Sequence, residues 1–444
     1  MMKRIGFGFL VLMASLQVTS AALVAKPNFV VIVVEDLGRE WVSCYGSEEN
    51  NTPNIDQLAR EGVRFETCYA STQGSVSRVE LLTGRYPFRT GWMWHNDVPQ
   101  WGPPFFDWSK EITFARILKQ AGYATAIAGR WGLNDLREHK DALKFHGFDE
   151  HCVWPGAEKG EAGDQSPYWN SIVQRNDQRI DSDKNTFVPD VFADFVVDFM
   201  KRNREQPFLA YYPMLLAGKP WPSLPANSGR GLNEHDAFQA LIGQIDATVG
   251  KLLRAVEELK LSRRTIIVLT SGCGSDGTSA KAWGATVKGG KGRLTERGVN
   301  VPLIVHGIGQ VSGGRVAKEL VDFSDIFPTL CELASSRVPG SVQIDGKSFA
   351  HYLRGGSARQ PREWVLAQYG HDRVIREARY KLYSNGRFYD VLNDPLETQN
   401  LTSANVSEII GVKERLATVL RSLPKDQPLN FPMTRRMIVR RPGD

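Results

Sequence analysis

Glu35 and Asp36 close the run NFVVIVVED, a continuous apolar stretch ending in two carboxylates. That is the pattern of a buried parallel strand delivering acidic groups to its C-terminal end, where a site can form. The segment STQGSVSRVELLTGRYP (71–87) adds Ser75 and Arg78. Ser75 reads as a nucleophile or as a helix-start hydroxyl bonded to backbone. Arg78 reads as an anion contact or as the partner of a core carboxylate that anchors its helix. Cys273, in TSGCGSDG, would be a nucleophile only beside a base or cation that lowers its pKa, and is otherwise a buried inert thiol. Lys291, in GGKGRLTERG, is an anion contact or an exposed loop lysine. The stretch YPFRTGWMWHNDVPQWGPPFFDW (86–108) concentrates Trp92, Trp94, Trp101 and Trp108. Flat aromatic faces suit sugar rings, which makes Trp92 and Trp94 candidate binding residues; a loop packed down on its own aromatics is the alternative. His95, in the same stretch, is a local acid or a hydrogen-bonded structural histidine.

These groups need a frame. TPNIDQLAREGVRF reads as a capped helix leading into a strand, and YATAIAG (123–129), QPFLAYYPMLL (206–216) and RTIIVLTSG (264–272) are further strand candidates. HDAFQALIGQIDATVGKLLRAVEELKL (235–261) has a helical pattern. Such alternation predicts an α/β layered domain with a mostly parallel sheet and sites at the strands' C-terminal ends. After about residue 350, WVLAQYG, DRVIREARYKLYSNG and RFYDVL alternate with turns as an antiparallel sheet would, and a helix over 406–423 follows. The expected organisation is a signal segment over 1–25, an α/β domain over 26–350 and a C-terminal subdomain with a basic tail over 351–444.

The signal expectation rests on Lys3 and Arg4 before an apolar run, then small residues at Ser20, Ala21 and Ala22. The run is short for a membrane span, so the chain is expected to be exported, periplasmic or extracellular, with an uncleaved anchor as the alternative. The formal charge of +6 and the arginine-rich tail favour anionic partners such as sulfated glycans, with no nucleic acid required. The cysteines, five in all, form no CxxC pair; in an exported chain, one or two disulfides are expected.

The order of PNFVVIVVEDLG, CYG followed by TPNIDQLAREGVRF, SRVELLTGRYP, AGYATAIAGRW, KGGKGRLTERGVNVPLIV, DFSDIFPTLCELA and ARYKLY…FYDVLNDPLETQNL resembles the sulfatases of the alkaline phosphatase superfamily. The likeness runs from about Pro27 to about Leu401 and implies the family's fold. That fold is an alkaline phosphatase-like layered α/β domain plus a small C-terminal α+β domain with an antiparallel sheet.

A sulfate monoester needs an activated oxygen nucleophile, a cation beside the sulfate oxygens and an acid for the leaving alcohol. In the family the nucleophile is a formylglycine made from cysteine or serine in C/S-x-P-S-R-x-x-x-L-T-G-R. Aligned on Ser77, Arg78 and Leu82 to Arg85, that position is Gly74. Glycine has no β-carbon to oxidise, so no formylglycine forms. Ser75 lies one residue on, a rotation of roughly 100° on a helix. The family's calcium ligands align on Glu35, Asp36, Gly272 and Cys273, so two oxygen ligands are missing and the resemblance implies an incomplete calcium site, with Asp276 as a distant substitute. The family's lysine and histidine in GKWH become Arg130 and Gly132, and its later histidine falls near Gly218. Arg130 keeps the charge but cannot donate a proton at ordinary pH. Arg78 and Lys291 match retained anion contacts.

The sequence therefore reads as an exported pseudo-sulfatase with no cofactor expected, binding an anionic, sulfated carbohydrate ligand through Arg78, Arg130 and Lys291. The alternative is an active sulfuric or phosphoric ester hydrolase with a non-standard nucleophile. Oligomeric state is left open.

Overall fold

The computed structural model describes residues 26–96, 105–156, 167–219, 221–227, 231–357 and 361–428. The signal-like segment, Trp101 and the arginine-rich tail lie outside these residues.

The main sheet has ten strands. Eight of them are β1 (Asn28–Val34), β2 (Val63–Tyr69), β3 (Ala124–Arg130), β4 (Glu150–Trp154), β5 (Ile172–Arg175), β6 (Gln178–Asp181), β7 (Phe208–Met214) and β8 (Thr265–Ser271). A separate hairpin, β9 (Ser279–Ala282) and β10 (Ala285–Lys288), precedes β11 (Leu303–His306) and β12 (Arg315–Asp322), which complete the main sheet. Across the sheet the order is β12-β2-β11-β8-β1-β7-β3-β4-β5-β6. From β8 through β4 every pairing is parallel, whereas β11 runs antiparallel to both β8 and β2. This is the expected mostly parallel layered fold.

β1 shows why an unbroken apolar run suits a central strand. Phe29, Val31 and Val33 point into one hydrophobic cluster, while Val30, Ile32 and Val34 point into a second on the opposite face. Successive side chains alternate faces, so a sheet covered on both sides needs apolar residues at every position. The second face is covered by the helices Val188–Arg202 and Glu234–Glu258, whose apolar stripes include Phe192, Phe199, Leu241 and Ile245.

The helix Pro53–Glu61 follows TP as expected, but the Thr52 side chain does not cap it. Asp246, reaching from the helix Glu234–Glu258, accepts the first free N–H groups at Asn54 and Ile55, at 3.0 and 2.9 Å. A helix start needs acceptors for its orphan donors, and here tertiary packing supplies them.

A four-stranded antiparallel sheet, β13 (Val365–Tyr369), β14 (Asp372–Arg376), β15 (Tyr380–Tyr383) and β16 (Phe388–Asp390), forms the C-terminal part with the helix Ser407–Ser422. The expected boundary at 350 falls within a short helix, Ala350–Leu353, whose buried residues belong to the main core. Val365, Ala367 and Val374 join that same core. Two buried ionic clusters also cross the seam: Glu296 with Arg376 and Lys381, and Arg362 with Asp322 and Asp325. All five cysteines are free, which corrects the disulfide expectation. Four of them are buried, Cys68, Cys152 and Cys331 within the apolar clusters and Cys273 beside Asp36.

Candidate functional site

Strand register decides where the site lies. Val34 at the end of β1 pairs with Met214 of β7 and Ser271 of β8, so these three strands stop together. The next residues of each, Glu35 and Asp36, Leu215 to Gly218, and Gly272 and Cys273, emerge at one edge. Arg130 ends β3 alongside them, and the helix Gly74–Thr83 starts there after β2. Open α/β sheets place their ligands at such carboxyl ends.

The backbone at Asp36 is left-handed, φ 54°, a conformation uncommon outside glycine. It sends the two adjacent carboxylates apart. Glu35 turns toward the helix, where Oε1 accepts from Arg78 Nη1 and Oε2 from Arg130 Nη1, each at 3.1 Å. Asp36 turns toward the loop after β10, where Oδ2 accepts from Lys291 Nζ and Oδ1 from the Cys273 thiol at 3.1 Å. Three cationic side chains thus meet two carboxylates here. Arg78 is buried, as is the helix that carries it. Arg130 also lies over the Trp154 ring, 5.6 Å from its centroid, because β3 and β4 pair Arg130 with Trp154.

Charge here is tuned by burial first and partners second. Burial raises the Asp36 carboxyl above its ordinary value, with Lys291 acting against it. Burial pulls the Lys291 ammonium down, but Asp36 beside it outweighs this and holds it above the usual lysine value. The Cys273 thiol is pushed well up by burial and by Asp36. A nucleophilic cysteine needs the opposite shift, so Cys273 is the inert thiol of the two sequence readings. Lys291 is neither a solvated loop lysine nor an open anion contact: Asp36 holds it.

The four glycines that replace expected reactive or ligating side chains converge on this cluster. A β-carbon at Gly74 would stand 3.9 Å from Glu35 Oε1, and one at Gly218 3.5 Å from Glu35 Oε2. One at Gly132 would lie 3.4 Å from Arg78 Nη2, and one at Gly272 3.2 Å from the Gly74 α-carbon. Gly218 therefore lies beside the Glu35 carboxylate. Tyr168, which no sequence pattern marked, secures that segment by donating its hydroxyl to the Gly218 carbonyl at 2.6 Å.

The donor set does not fit the calcium that the family resemblance implies. Both oxygens of Glu35 are taken by guanidinium groups, both oxygens of Asp36 by Lys291 and Cys273, and Gly272 offers no side chain. Asp276 sits near enough to Lys291 to add to its basicity, and forms no ion pair with it.

Ser75 is buried at the start of the helix. Its Oγ accepts from Asn96 N at 3.1 Å and shares a hydrogen bond with His95 Nδ1 at 3.0 Å. Both groups pin the following segment to the helix start. Trp92 is 4% exposed and packs edge-on to Phe106, so it offers no open ring to a sugar. That corrects its assignment as a binding residue: an irregular loop buries its largest rings to fill the core beneath it. Trp94 is half-buried, against Tyr369 and His371 of the C-terminal part. Trp108 stacks on Phe145.

The Sulfatase family model matches residues 27–336 of the chain. The chain belongs to the sulfatase family. It is 30% identical to the steryl-sulfatase of Mus musculus, over 77% of this chain and 67% of that protein. It is 29% identical to human arylsulfatase D, over 82% and 74%. Among solved structures, Ps i-CgsB in complex with k-i-k-neocarrahexaose superposes with a TM-score of 0.79 at 22% identity, covering 94% of this chain and 96% of that one. BT4656 in complex with its substrate D-glucosamine-2-N,6-O-disulfate gives 0.70 at 20% identity, covering 89% and 97%. These likenesses establish the sulfatase fold for the chain.

Proposed function

We propose that this sulfatase-family protein is an exported, non-catalytic binder of an anionic, sulfated carbohydrate. The observation that carries the reading is Gly74: the position from which the family's nucleophile would project has no side chain, and the cluster it faces keeps its cations. Arg78, Arg130 and Lys291 gather at the strand ends around Glu35 and Asp36, and cationic side chains so placed favour an anion over a cation. The oxygens of Glu35 and Asp36 already have partners, which argues against calcium between them. The glucosamine disulfate bound by one structural neighbour supports a sulfated sugar as the ligand class. No described helix is long and apolar enough to cross a membrane, and export rests on the N-terminal sequence pattern.

A second reading has one observation in its favour, the Ser75 to His95 hydrogen bond, which pairs a hydroxyl with a base as an activated nucleophile requires. Against it, Ser75 is 1% exposed.

Sulfate and phosphate release from small esters and sulfated polysaccharides, with calcium present, separates the two, comparing wild type with Ser75→Ala. No release, together with saturable retention of heparin, carrageenan or fucoidan at low salt, is the expected result. Release that disappears in Ser75→Ala would overturn the non-catalytic reading. Failure of all three polymers to bind would remove the proposed ligand class.

A further inference from the structure

A cavity of about 420 Å³ lies away from this cluster, between the edge of the main sheet at β2 and β12 and the C-terminal part. That is within the range of small-molecule sites. Its polar wall is unusual in how its charges are partnered.

Arg39 follows the loop that closes β1. Its guanidinium lies over the Tyr45 ring, 5.0 Å from the centroid, and its buried Nε has no hydrogen-bond partner. Arg297 donates Nη1 to the Lys288 carbonyl at 3.1 Å and likewise keeps a buried Nε without a partner. Lys318 stands where the β12 to β2 register shifts, at a bulge that turns it to the cavity, and it forms no ion pair among the described residues. The acidic groups of the wall are mostly committed. Glu296 is held by Arg376 and Lys381, and Glu40 accepts from the Ser275 hydroxyl. Burial raises the Glu40 carboxyl above its ordinary value, so its charge is disfavoured. Among the described residues, Glu66 is the remaining carboxylate of a wall that carries Arg39, Arg297 and Lys318, none of them in an ion pair with a described carboxylate.

Cationic side chains that line a cavity without a carboxylate partner make it favourable to an anion. Trp283, Leu320, Val391 and Leu392 give the wall an apolar portion. A ligand complementary to both halves carries one acidic group and an apolar body.

We propose that this cavity is a second ligand site, distinct from the Glu35 cluster, that takes a small organic anion. Its acidic group sits on Arg39 and Arg297, and its apolar body lies against Trp283, Leu320 and Leu392. The site is independent of the function proposed above, so either can fail without the other.

The test is calorimetric titration of the full chain with naphthalene-2-sulfonate, which has both features. Wild type is expected to bind one equivalent, and Arg39→Met to bind at least about tenfold more weakly. Leu392→Glu is the companion variant. Leu392 is 63% exposed, so the change leaves the core intact while setting a negative charge at the cavity mouth. It should weaken the probe by a similar factor, about tenfold, through like-charge repulsion. Absence of binding to wild type overturns the proposal, as does binding that Leu392→Glu leaves unchanged.

Discussion

Arg78 and Glu35 form a buried ion pair, Nη1 to Oε1 at 3.1 Å, where the helix Gly74–Thr83 meets the end of the central strand. Through the other oxygen, Glu35 also holds Arg130. One carboxylate thus sits between two cations that an external sulfate would need, acting as an internal anion.

Glu35→Gln removes that negative charge while keeping the shape. Inorganic sulfate and heparin should then bind more tightly, by about tenfold at low salt, with the gain shrinking as ionic strength rises. Titration calorimetry at two salt concentrations checks this. Because Glu35 also anchors Arg78, thermal stability should fall, and an unchanged sulfate affinity would mean that the cluster is not the anion site.

The four glycines should not tolerate side chains equally. The β-carbon of Gly74→Ser meets nothing closer than 3.9 Å, so its melting temperature should stay near wild type, with no sulfate release gained. Gly272→Ser places a β-carbon 3.2 Å from the Gly74 α-carbon, and Gly132→His demands a side chain at φ +59°, so both should destabilise. Differential scanning calorimetry of the three variants reads the order directly.

Ser75→Ala removes the acceptor for Asn96 N and the hydrogen-bond partner of His95. A loss of about 1 kcal/mol is expected for the hydrogen bonding given up. Denaturant unfolding measures the loss, and hydrogen exchange should quicken at Asn96.

Glu296 gives the seam a defined pH response. Burial opposes its charge, but Arg376 and Lys381 outweigh this and bring its pKa down to about 2 from 4.5. A depressed folded pKa stabilises above the unfolded value, and that stability is lost as pH falls from about 4.5 toward about 2. The melting temperature of wild type should therefore drop through that window. Glu296→Gln should start lower at pH 7 and lose less on acidification.

Some of this was written in the residues. The apolar run before Glu35 specifies a strand buried on both faces, because only a doubly covered strand tolerates apolar side chains at every position. The alternation after residue 350 predicted the second, antiparallel sheet for the same reason of period. The register of SRVELLTGR put Gly74 at the vacant position, and a missing β-carbon is missing in any fold.

What the chain could not state locally is partnership. Arg78 read equally as an anion contact or a core ion pair, and Lys291 as a loop lysine or a ligand. Each was decided by carboxylates 43 and 255 residues away in sequence, brought near by the shared endpoint of β1, β7 and β8. The left-handed turn at Asp36, which parts two adjacent acids, is likewise set by its surroundings. The burial of Trp92 and the separation of the cysteines depend on which surfaces pack together. Covalent capacity is a property of a residue type and is fixed by sequence alone. Charge pairing and burial depend on distances between remote segments, and only the tertiary structure sets those distances.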